Sequence, residues 1–247
     1  MEYVLEACVD SVESAIAAQQ GGAKRVELCG NLIIGGTSPG KALFQVVRKY
    51  TDLEIRVLLR PRFGDFCYDE YEFEIMKEDV QMYRELGADG IVTGILLPDG
   101  RLDSVRMGEL IREAGNADVA LHRAFDVCSD PYETLEGAID LGIRTILTSG
   151  QKNSAWEGRE LLRELVRRSD GRIEILVGAG VSPETIEKLV PFTGAQAYHM
   201  SGKVTLESRM QFRRDGVSMG VPGFSEYEIW QTDADNIRRA VDVLKQF

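Results

Sequence analysis

Residues 4–29 read VLEACVDSVESAIAAQQGGAKRVELC and hold one structural unit and the start of the next. The run at 4–9 is strand-like, 11–20 is helical, and 25–29 is strand-like again. A strand followed by a helix and another strand implies parallel pairing, because the crossover returns the chain to the same end of the sheet. The same alternation continues to the end of the sequence. Further strand-like runs occupy 54–60, 90–96, 118–124, 144–149, 173–178 and 195–200. Helical stretches occupy 40–50, 72–86, 103–115, 131–141, 155–168, 183–192 and 232–246. Such a series within 247 residues predicts an α/β fold, a closed (β/α)8 barrel with 1–247 as a single domain. An open doubly wound sheet is the competitor, but it rarely uses so many regular units without a Gly-rich dinucleotide turn.

The punctuation agrees. C-x-D-x-x-E recurs at Cys8-Asp10-Glu13, Cys67-Asp69-Glu72 and Cys128-Asp130-Glu133, each placing Asp where a helix should start and Glu three positions on. The first and last copies are 120 residues apart, which fits either a half-barrel repeat or merely regular units. The stretch 203–231 is read as irregular. It sets Val217, Met219, Val221, Phe224, Tyr227 and Trp230 among Gly216, Gly220, Pro222 and Gly223. Its length and apolar content suggest a segment that packs over the barrel or against a second subunit, so a homodimer or higher homo-oligomer is expected.

Composition excludes several classes. With 29 Lys+Arg against 40 Asp+Glu the net charge is −11, which argues against nucleic acid and anionic membrane surfaces as partners. No apolar run is long enough to span a bilayer, and no signal peptide is visible at the N-terminus. Four cysteines are too few for a disulfide scaffold and read as cytosolic thiols, so a cytoplasmic location is expected.

In such a barrel the chemistry sits at the carboxyl ends of the strands, and every second strand residue faces inward. Glu6, Cys8 and Asp10 share one parity, as do Glu27, Cys29 and Asn31, and Arg56, Leu58 and Arg60. His122 and His199, the only histidines, fall late in their strands. Glu27, Arg60 and His122 are the candidate catalytic residues, an acid/base and anion-anchoring set. Glu6, nearer the floor, reads better as part of a buried ion-pair cluster. Anion-binding candidates are Arg60, His199, Gly178 and Gly180 after the seventh strand, Ser201 and Gly202 after the eighth, and Ser149 and Gly150 after the sixth. Cys8 and Cys29 lie at equivalent places on adjacent strands, where a soft ion such as Cu(I) could bridge them. Alternatively, they simply fill core space.

The sequence resembles the CutC family over nearly its whole length. The resemblance is carried by LEACVDSVESAIAAQQGGAKRVELCGNL (5–32), LLRPRFGDFCYDEYEFEIMKEDV (58–80) and LHRAFDVCSDPYETL (121–135), with ILTSGQ (146–151) and VGAGV (177–181). It implies a TIM-barrel fold and a cytoplasmic protein of copper homeostasis, with Cys8 and Cys29 as Cu(I) ligands. The residues themselves favour a polar, enzyme-like mouth for an anionic small molecule. Two function classes therefore stand: a Cu(I)-handling protein, and a barrel enzyme or binder of a phosphate- or carboxylate-bearing small molecule.

Overall fold

Alternation along the strands gives the chain two apolar–polar boundaries instead of one. The computed structural model describes residues 3–217, 219–221 and 223–247. Eight parallel strands close into a barrel in sequence order. They are β1 (Val4–Val9), β2 (Arg25–Leu28), β3 (Glu54–Leu58), β4 (Gly90–Thr93), β5 (Asp118–Leu121), β6 (Thr145–Thr148), β7 (Glu174–Val177) and β8 (Ala197–Met200). Helices α1 (Val12–Gly21), α2 (Lys41–Tyr50), α3 (Glu70–Glu85), α4 (Ser104–Ala114), α5 (Pro131–Asp140), α6 (Arg159–Ser169), α7 (Pro183–Thr193) and α8 (Ala234–Leu244) surround it. The outward strand residues, among them Ala7, Val9, Val26, Leu28, Ile55 and Val57, are buried against the helices and form the main apolar core.

The inward residues are mixed, with small apolar clusters above a polar floor, and that floor is an ion-pair network. Arg25 Nε donates to Glu6 Oε2 at 2.6 Å and Arg25 Nη2 to Glu174 Oε2 at 2.9 Å. Arg56 Nε donates to Glu54 at 2.9 Å and Arg56 Nη1 to the Thr145 hydroxyl at 2.9 Å. Each guanidinium therefore has a carboxylate partner, as a buried charge requires.

Two of the three Asp-led caps form as the spacing predicts. Asp69 and Glu72 make a reciprocal capping box on α3, and Asp130 accepts from the amides of Tyr132 and Glu133 on α5. At α1 the cap is Ser11, one residue later, while Asp10 accepts from the Leu32 amide and ties the first loop to the second. The stretch read as irregular is also more ordered than expected. Its ends pair antiparallel as β9 (Lys203–Glu207) and β10 (Glu228–Thr232), in a register running from Lys203↔Thr232 to Glu207↔Glu228. Alternating β-branched and polar residues in both runs account for the hairpin. Pro222, one of the turn residues expected there, lies outside the described residues. Among the described residues, no helix is long and apolar enough to cross a membrane.

Candidate functional site

A cavity of about 690 Å³ opens at the carboxyl ends of the strands. Its wall includes Cys8, Glu27, Arg60, His122 and His199, together with Gly180 and Ser201. The structure thus brings the three candidate catalytic residues to one space, from β2, from just after β3 and from just after β5.

Glu27 lies level with Cys8 on the adjacent strand, and with Arg56 on the other side. Its Oε2 is 3.7 Å from Nε2 of His199, which reaches in from β8. The other ring nitrogen of His199, Nδ1, is 2.8 Å from Glu6 Oε1. Burial alone would raise Glu6, but the bond to His199 and the charge of Arg25 hold its carboxyl at about 2. Burial dominates at Glu27 and, with the Glu6 charge, pushes it up to about 7 against the pull of His199. Burial would lower His199, yet Cys8, Glu6 and Glu27 together hold it well above the ordinary imidazole range.

Arg60 lies two residues past the end of β3 and is 9% exposed. Its Nη1 donates to the carbonyls of Gly35 (3.3 Å) and Gly36 (3.1 Å), and its Nη2 to that of Gly64 (2.9 Å). Its Nε is buried without a partner. All three acceptors are neutral, in contrast to the carboxylates that meet Arg25 and Arg56.

The fifth strand stops earlier than its sequence suggests: the His122 amide still donates to the Thr93 carbonyl, but its side chain caps a 3-10 turn at Arg123–Val127. His122 Nδ1 accepts from the Ala124 amide at 3.1 Å. The ring proton therefore sits on Nε2, which is buried without a partner. Burial and the nearby Arg60 charge bring His122 down to about 3, so it is a neutral imidazole and a hydrogen-bond donor.

The remaining candidates separate. Gly180, with φ +69, and Ser201 line the cavity. Ser149 is committed elsewhere: its amide and hydroxyl both donate to Asp126. The Gly150 amide donates to Thr148 Oγ1 and that of Gly178 to the Thr148 carbonyl. The Gly202 carbonyl accepts from Asp233 and Asn236 and fixes the start of α8. The start of α7 is closed by a capping box between Ser182 and Thr185.

Sequence reasoning missed several wall residues, among them Phe66, Arg123, Asp126 and Lys203. Asp126 belongs to the quoted 121–135 segment, and its carboxylate gathers donors from Thr148, Ser149, Gln151 and Arg123. It clamps the loop after β6. Lys203 begins β9, in the stretch read as irregular.

Cys8 borders the cavity, whereas Cys29 packs in a small inner cluster with Leu58, Val92 and Ala120. The Cys29 thiol donates to the Val9 carbonyl at 3.5 Å. Burial raises it well above the ordinary thiol range, and Glu27, Cys8 and Asp10 add to that. A two-thiolate site would have to ionise this thiol beside carboxylates, so the pair fits Cu(I) poorly. Among the described residues, no group of three or more His, Cys, Asp or Glu side chains is placed to hold a metal.

The model of the CutC family matches residues 3–204, which include every inward-facing residue above. The chain belongs to the CutC family. A CutC family protein of Histophilus somni is 41% identical over 233 residues, covering 94% of this chain and 96% of that one. The human copper homeostasis protein cutC homolog is 40% identical over 237 residues, covering 96% and 87%. A solved structure of the putative copper homeostasis protein CutC from Streptococcus agalactiae superposes with a TM-score of 0.77 at 30% identity, covering 81% of this chain and 98% of that one. The TIM-barrel architecture of this CutC chain is thus shared with a solved member of the family. A thiamine phosphate pyrophosphorylase from Pyrococcus furiosus, at 16% identity and a TM-score of 0.58, shares the fold alone.

Proposed function

We propose that the barrel mouth binds an anionic small molecule and that Glu27 moves a proton on it, with Arg60 as the anchor and His122 as a donor. The observation that carries this reading is the Arg60 guanidinium, nine-tenths buried and bonded only to neutral carbonyls. A buried cation without a counter-charge is costly, and the guanidinium fork suits a carboxylate or phosphate. Among the carboxylates of the wall, Asp126 is saturated with donors, whereas the ion-pair partner of Glu27 is His199 at 3.7 Å, which leaves Glu27 as the acid–base group. Gly180, Ser201 and His199 border the same space. Calorimetry with inorganic phosphate and with oxalate tests the anchor. Binding of at least one anion is expected in the wild type and lost in Arg60→Ala. Equal binding by a folded Arg60→Ala protein would remove the reading.

A second reading follows the names of the relatives and makes Cu(I) a cargo held by Cys8 and Cys29 in the cytoplasm. It is favoured by the placement of both cysteines on the inward parity of adjacent strands, close enough for Cys8 to act on the charge of Cys29. The poor fit of Cys29 stands against it. Competition of the reduced protein with a chromophoric Cu(I) chelator decides: one Cu(I) per chain, lost in the Cys8→Ser/Cys29→Ser double variant, is the supporting outcome. The exposed Leu206, Met210, Phe212 and Ile229 on and beside the hairpin favour a homodimer or higher homo-oligomer, checked by light scattering.

A further inference from the structure

Two buried side-chain donors without partners, Arg60 Nε and His122 Nε2, belong to residues that line the same cavity. An unpaired buried donor is costly, so two on residues lining one cavity call for an acceptor. Both residues flank Phe66: its ring centroid is 4.8 Å from that of the His122 imidazole and 5.1 Å from the Arg60 guanidinium carbon. Both are also held rigidly. The other Arg60 nitrogens are fixed by three carbonyls, and His122 by the Ala124 amide. Gly94, just past β4, makes the room. A Cβ there would stand 2.8 Å from both Cε1 and Nδ1 of His122, so any larger residue displaces the ring.

We propose that Arg60 Nε–H and His122 Nε2–H form a two-donor seat for one ligand oxygen, and that this oxygen is a carbonyl oxygen that becomes an enolate. The inference rests on the anionic-ligand reading above and names its substrate class: a small molecule with a ketone next to a carboxylate or phosphate-bearing carbon. Two donors and no acceptor select an oxygen that only accepts. A neutral imidazole N–H, rather than an imidazolium, suits an enolate because it stabilises the charge without handing over its proton. Fixed dipoles in a dry site need no reorganisation as the charge develops. In the step itself a C–H bond beside the carbonyl breaks, its proton goes to the Glu27 carboxylate, and the electron pair moves onto the seated oxygen. The reverse returns the proton to carbon, and nothing is oxidised or reduced.

The test compares enolate mimics with saturated analogues of equal charge. Oxalate against malonate serves the carboxylate arm, and phosphoglycolohydroxamate against glycerol 3-phosphate the phosphate arm. In one arm the mimic is expected to bind at least about tenfold tighter to the wild type. His122→Leu and Gly94→Ala are expected to abolish that preference. His122→Gln, whose amide N–H reaches as far as Nε2, is expected to keep part of it. The preferred mimic should also shift the His122 Nε2–H resonance of the wild-type protein, a readout that stands if a variant fails to fold. Absence of preference in both arms, with Arg60-dependent anion binding intact, would overturn the seat and leave the anion reading in place. Loss of all anion binding would overturn both.

Discussion

Oε1 of Glu6 and Nδ1 of His199 lie 2.8 Å apart in the barrel interior, with Glu27 3.7 Å beyond the far ring nitrogen. One histidine thereby links the ion pairs of the floor to the carboxyl of the mouth. The Arg25 Nε bond completes the chain at 2.6 Å from Glu6. Removing a single member leaves the others charged and buried.

Glu6→Gln keeps the volume and removes the charge that Arg25 and His199 share. Breaking a buried ion pair from one side typically costs about 3–5 kcal/mol. Urea unfolding of the variant should show a loss in that range. A loss below about 1 kcal/mol would mean that the floor network contributes little.

The two histidines should behave oppositely in solution. His122 is held at about 3 by burial and Arg60, against 6.5 for a free imidazole. Nitrogen-15 spectra should show it neutral, protonated on Nε2, at every pH from 8 down to 4. The linkage sign follows. Between 6.5 and 3 the unfolded chain binds a proton that the folded chain refuses, so stability falls as pH drops through that window. Above 6.5 this group has no effect. A His122→Phe variant that folds should lose that part of the acid dependence.

Asp126→Ala removes the acceptor shared by Thr148, Ser149, Gln151 and Arg123. Bonds to a charged acceptor are worth about 1.5–3 kcal/mol, and several are lost together. The variant should unfold at least about 2 kcal/mol more readily, with faster amide exchange at Ser149 and Gln151. Unchanged exchange at both amides would show that the clamp does not hold the loop.

Thiol reactivity should follow burial. Cys67 is exposed, while Cys8, Cys29 and Cys128 are buried. Burial also pushes Cys29 and Cys128 up, away from the reactive thiolate. Ellman's reagent should find one fast thiol per native chain, lost in Cys67→Ser, and four after denaturation. A second fast thiol abolished by Cys8→Ser would show that the cavity admits the reagent.

The barrel was legible in the sequence because its cause is local. Strand and helix periodicity, with glycines between, leaves parallel pairing as the solution, and inward parity already put Glu6, Glu27, Arg60, His122 and His199 on one surface. Parity says which wall a residue faces but not what stands opposite it. Glu27 and Arg60 share the mouth, yet Glu27 meets His199, while Arg60 is wrapped by carbonyls from the loops after β2 and β3. Cys8 and Cys29 look equivalent in sequence, but barrel closure places one at the cavity and packs the other among Leu58, Val92 and Ala120. Ser149 and Gly150 look like free donors until Asp126 and Thr148 are seen to occupy them. Periodicity is set by neighbours a few residues apart and can be read along the chain. Hydrogen-bond partners and desolvation depend on atoms brought together across strands, and only the closed barrel decided those.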